Sequence, residues 1–243
     1  MNEINLNIYL DKLYQEAILV PLKEQSEDPL QIATNLSNPI DILICSLFSY
    51  GSAKQIVKFI KQIDFNNLNF TYDIKYRFQT SEDINIILNV AHELKKENIY
   101  KDVDMINSYK LYGIPGVILY LQNLFYDKLK DIEKTKGIIF FLGKPFDVKN
   151  KTKGAYKRYN MFLRWMVRDT DFDLGYWAKL IKKSDLIIPL DTHIATQCKE
   201  FGFITSKSST WKNAIKITEA LRQFDKKDPI KYDFAIYRMG QKS

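Results

Sequence analysis

Residues 155–168, AYKRYNMFLRWMVR, carry apolar and cationic side chains at a helical period. At 100° per residue, Lys157, Arg164 and Arg168 fall within about 40° of one another, with Asn160 flanking that stripe. Tyr159, Phe162, Leu163 and Met166 lie opposite them. The segment therefore predicts an amphipathic helix with one core face and one cationic face. The preceding stretch, GKPFDVKNKTKG at 143–154, is rich in Gly, Pro and charge and predicts a loop.

The same period extends outward in both directions. Leu6, Leu10, Leu13 and Ala17 form one stripe of a first helix ending before Pro21. DILICSLFSY at 41–50 is nearly all apolar and predicts a buried helix, followed by a break at Gly51 and an amphipathic AKQIVKFIKQI. SEDINIILNVAHELKK opens with Ser81 and acids and closes on lysines, as a capped helix should. Further helices are expected over 115–134, 192–201, 210–224 and about 229–240, the last with Asp228 as cap and Pro229 in its first turn. IIFFL at 138–142 could form a strand, but no second alternating run exists to pair with it, and helix is preferred. Only 9 Gly and 7 Pro occur in 243 residues, few for a turn-rich β protein. The fold class expected is all-α. Its two lobes are 1–40 with 170–243, formed by the N- and C-terminal helices, and a central lobe of 41–169 carrying Lys157 near the boundary.

The net charge is +7, an excess that speaks of association and not of fold. Its distribution is more informative. Residues 1–40 hold two lysines against six acids, whereas 149–168 hold Lys149, Lys151, Lys153, Lys157, Arg158, Arg164 and Arg168 with no acid. A solvated face usually intersperses acids, so this concentration points to phosphate contacts. Cys45 and Cys198 match no metal-ligand spacing and sit among apolar residues, as reduced core thiols do. No apolar run approaches 18 residues, and the start lacks the regions of a signal peptide. A soluble, cytoplasmic monomer is expected.

PLDTHIATQCKEFGF at 189–203 places Asp191 where an N-cap belongs, ahead of the apolar positions Ile194, Cys198 and Phe201. A capping role alone accounts for it. A carboxylate at a helix N-terminus also stays ionised at neutral pH, so the same group can stabilise a developing cation or orient a nucleophile. His193 reads as a polar first-turn residue, His92 as structural, and Trp165, Trp177 and Trp211 as core or interface aromatics.

These phrases resemble a known family. LDTHIATQCKEFGF is similar to the VDTH-helix segment of helix-hairpin-helix DNA glycosylases, and KRYNMFLRWM to the segment carrying their lysine nucleophile, with Lys157 and Asn160 matching K-x-x-N. The 34-residue separation of Lys157 and Asp191 resembles that of archaeal-type 8-oxoguanine DNA glycosylases. IKYDFAIYRMGQ at 230–241 resembles that branch's closing helix, which would put Asp233 and Tyr237 in the base pocket. The chain also resembles an uncharacterised bacterial family with NMFLRWMVR and IPLDTH signatures. The resemblance covers roughly 155–241 well and the N-terminal half weakly. It departs at the hairpin, where KNKTKGAYK replaces LPGVGxKT, and it lacks the cysteine cluster that binds iron–sulfur in relatives, so no cofactor and no metal are expected.

The resemblance implies a base-excision-repair glycosylase with AP-lyase activity on an oxidised purine such as 8-oxoguanine, with double-stranded DNA containing the damaged base as partner. Lys157 would be the nucleophile and Asp191 the essential carboxylate. Lys149, Lys151, Lys153, Arg158, Asn160 and Arg164 would contact DNA. Partial burial, Arg158 and Arg164 would favour the neutral amine of Lys157. Two alternatives stay open: a monofunctional glycosylase for alkylated or mismatched bases, and a non-catalytic DNA-binding module.

Overall fold

A computed structural model describes residues 3–19, 28–149, 153–170 and 172–242. The protein is all-helical: twelve α-helices and no β-strand occur among the described residues. It divides into two compact units, residues 1–25 with 151–243, and residues 26–150.

The first unit contains α1 (Glu3–Ile18), α9 (Lys157–Val167), α10 (Thr192–Glu200), α11 (Trp211–Arg222) and α12 (Asp233–Lys242). Leu6, Leu10 and Ala17 of α1 are buried, as their spacing predicts. α1 packs against α12, and Tyr232 just before α12 donates its hydroxyl to Asp11 at 2.8 Å. The unit boundaries differ from the expected ones at 40 and 170. α9 belongs with the terminal helices because its end is hydrogen-bonded to the segment that follows. Trp165 accepts from Leu174 at 2.8 Å and Met166 accepts from the Trp177 amide. Trp165, Trp177 and Trp211 are core residues.

The second unit runs from α2 (Leu30–Ala33) through α3 (Pro39–Leu47), α4 (Ala53–Ile60), α5 (Ser81–Lys96), α6 (Asp102–Tyr112) and α7 (Ile114–Lys128) to α8 (Lys136–Leu142). Every residue of α3 from Ile40 to Leu47 is buried, so its unbroken apolar run is a core helix. The buried Asp41 is paired with Lys95 at 2.7 Å. The break at Gly51 has φ +108°, and Ser52 caps α4. The cap of α5 is Thr80, one residue before Ser81. Thr80 and Asp83 form a reciprocal capping box that satisfies two terminal amides. IIFFL is helical within α8, capped by Thr135. Helix α6 was not expected from the sequence. It buries only Met105, so its apolar positions trace no stripe.

The last helix begins at Asp233, not 229, and Asp228 is not its cap. Residues 229–232 form turns, and the Asp228 carboxylate is committed to Arg168 at 3.0 and 2.9 Å.

Candidate active site

The site begins with the cap of α10. Asp191 has extended backbone, and its Oδ1 accepts the Ile194 amide at 2.9 Å, satisfying one of the orphan N–H groups of the first turn. Its other oxygen, Oδ2, lies 3.2 Å from Lys157 Nζ. One carboxylate thus serves both as helix cap and as partner of a lysine 34 positions earlier. Lys157 is the first residue of α9, and Tyr156 before it takes the left-handed conformation at φ 48°, ψ 40°. That conformation is costly for a bulky residue and here sets the direction in which α9 starts.

Tyr237 of α12 closes a second side. Lys157 Nζ stands 5.9 Å from its ring centroid, near the range of a cation–π contact. His193 meets the same ring edge-on at 5.9 Å, and its Nδ1 lies 3.1 Å from the Gly240 carbonyl. A Cβ on Gly240 would stand 3.0 Å from His193 Cβ, so glycine there permits the close approach of α12 to α10. The Lys157 side chain is one-third exposed and Asp191 15% exposed, so the pair is open to a ligand from solvent but not freely solvated.

Behind this pair lies an ionic cluster. Arg164 Nη1 meets Asp233 at 2.6 Å and its Nε meets Asp173 at 3.2 Å. Arg168 reaches Asp173 at 2.5 Å and Asp228 at 2.9 Å. All five side chains are buried or nearly so. Burial works against the Arg164 charge, but Asp173 and Asp233 outweigh it and hold the guanidinium protonated. Burial also pushes Asp173 and Asp233 up from the ordinary carboxylate value, against the pull of the arginines. Two cations face three carboxylates, so one proton on the acids leaves the cluster neutral, consistent with the upward direction.

The expected site residues fall into three groups. Lys157, Asp191 and Tyr237 come together. Arg164 is buried and does not face solvent: Asp173, nine residues further on, and Asp233, near the end of the chain, pair with the stripe that reads as a cationic surface. Of the two neighbouring charges expected to act on Lys157, that of Arg164 is therefore neutralised by them. Asp233 is likewise taken by Arg164 and 4% exposed, so it supports the site from behind and presents no carboxylate to a base. Asn160 is also buried, donating to the Ala155 carbonyl at 3.0 Å, and is no surface contact.

Lys153 is exposed in the first unit, Arg158 is half-buried there, Lys149 is exposed in the second unit, and Lys151 lies outside the described residues. Asp173 was missed by sequence reasoning; it stands in a segment without clear period or motif. Cys45 and Cys198 are buried, and burial pushes both thiols up, away from reactivity. Among the described residues, no group of three or more His, Cys, Asp or Glu is arranged to hold a metal ion. No described helix is long and apolar enough to cross a membrane.

A family model described as "Protein of unknown function (DUF2400)" matches residues 28–242. No curated protein and no solved structure matches the chain.

Proposed function

The chain belongs to the DUF2400 family, and from its own site we propose a DNA glycosylase with AP-lyase activity, acting on an oxidised purine such as 8-oxoguanine. The observation that carries this reading is the pairing of Lys157 Nζ with Asp191 Oδ2 at 3.2 Å, partly open to solvent. The reading also leans on the resemblance of residues 155–241 to helix-hairpin-helix glycosylases.

A base within a duplex is out of reach, so the damaged nucleotide must first be extruded, at a few kcal/mol of unstacking. Tyr237 offers the extruded nucleotide an aromatic face beside the lysine. The C1′–N bond then breaks with its electron pair leaving on the base, which takes up the proton given up by the Lys157 ammonium. The freed Nζ electron pair bonds to C1′. Asp191 faces the positive charge that builds on the sugar, in a partly buried site where a fixed carboxylate acts more strongly than in water. Ring opening, with O4′ taking up a proton from the nitrogen, gives the Schiff base, and transfer of a C2′ proton to water breaks the C3′–O bond, expels the 3′ phosphate and nicks the strand.

A panel of duplexes carrying single lesions tests this reading. Wild-type protein should release the oxidised purine and cleave the strand, with product lost in Lys157→Gln. Tight binding of undamaged duplex, with no product from any lesion, would replace the enzyme with a binding module.

A further inference from the structure

The second unit carries a concave surface that the Lys157 chemistry does not use. A groove of about 530 Å³ lies between α4 and the loop before α5. Its cations are Lys58, Lys75 and Arg77, and none of its lining residues is acidic. Phe59 and Tyr76 form its floor, stacked at 4.3 Å and 19° and both buried.

The rim is a four-residue turn. Tyr76 and Gln79 exchange both backbone hydrogen bonds, at 3.1 and 2.9 Å, leaving Arg77 and Phe78 at the tip. Both ends of the turn are anchored: the Tyr76 hydroxyl donates to the Tyr50 carbonyl at 2.6 Å, and the Gln79 amide to the Gly137 carbonyl at 2.8 Å. Between these buried anchors, Phe78 is 57% exposed and lies 4.5 Å from the ring of Phe140, itself 40% exposed. The Arg77 guanidinium stands 5.8 Å over the Phe78 ring. Arg77 has φ +52°, a conformation that such turns usually give to Gly, Asn or Asp. A turn serving only to reverse the chain needs neither an arginine at a positive φ nor an exposed phenylalanine. Here both stand on an anchored turn beside two more cations.

We infer that this groove binds single-stranded DNA, with an unstacked base on Phe78 and the adjoining phosphates on Lys58, Lys75 and Arg77. Positive charge without acids suits a phosphate backbone, and an exposed aromatic face suits a base freed from its partner. A duplex offers the phosphates but keeps its bases stacked. This inference shares the DNA partner of the reading above but none of its chemistry.

Fluorescence anisotropy with the full chain and a labelled oligo(dT) tests it, with an undamaged duplex and oligo(U) of equal length alongside. Phe78→Ala should weaken oligo(dT) binding by roughly five- to a hundredfold, as expected for one stacked base. Phe78→Leu, apolar but without a stacking face, should do the same, while Phe70→Ala, an exposed aromatic outside the groove, should leave binding unchanged. Lys58→Gln and Lys75→Gln should each reduce the slope of log K against log salt by about 0.7. Wild-type affinity in both Phe78 variants would overturn the inference, as would an equal loss on the duplex or oligo(U) binding tenfold tighter than oligo(dT). A lesion panel without product would instead sink the enzymatic reading and leave these binding results standing.

Discussion

Arg164 and Asp233 meet at 2.6 Å inside the first unit, and each stands on a helix that also carries a site residue. Lys157 lies two turns before Arg164 on α9, and Tyr237 one turn after Asp233 on α12. The buried ion pair therefore fixes the spacing between the lysine and the aromatic face.

Breaking that pair from one side should be far more damaging than removing it whole. Arg164→Met leaves Asp233 without its guanidinium and Asp173 with only Arg168, and should destabilise the fold by about 3–5 kcal/mol in urea unfolding. Arg164→Met combined with Asp233→Leu should recover part of that loss. A double variant no more stable than the sum of the two singles would show that the pair is not coupled.

The same cluster gives stability a pH dependence of unusual sign. Asp173 and Asp233 are raised by burial, so the folded protein holds a proton that the unfolded chain releases. Stability should then fall as pH climbs from the ordinary aspartate value, about 4, through the raised native one. Asp233→Asn keeps an acceptor for Arg164 but does not titrate, and should flatten this slope in unfolding measured across that range. An unchanged slope would assign the proton elsewhere.

Asp191 performs two tasks that substitution can separate. Asparagine is as good an N-cap as aspartate, so Asp191→Asn should keep thermal stability near wild type while losing the charge beside Lys157 and most strand cleavage. Asp191→Ala should lose the cap as well, at about 1 kcal/mol. Full cleavage by Asp191→Asn would reduce the residue to a cap.

The helical class and most helices were legible because apolar period is a local property, and α4, α5 and α9 state it plainly. The Lys157–Asp191 pair was legible through phrases on two segments, each with its own capping or amphipathic logic. The role of Arg164 and Arg168 was not. Within 149–168 they count as unopposed cations, yet Asp173, Asp228 and Asp233 neutralise them from outside that window. A charge run read in one dimension cannot report acids that arrive through the fold. Asp228 misled for the same reason: its place before a proline looks like a cap until Arg168 claims the carboxylate. Nor does any motif mark the Arg77–Phe78 tip, since its meaning lies in exposure between two buried anchors.

The most direct test is borohydride trapping on a duplex carrying 8-oxoguanine or an abasic site. Wild-type protein should form a covalent complex with DNA, mapped by peptide sequencing to Lys157, and Lys157→Gln should form none. A complex of wild-type yield in Lys157→Gln, or one mapped to another lysine, would contradict the assignment of Lys157 as the nucleophile.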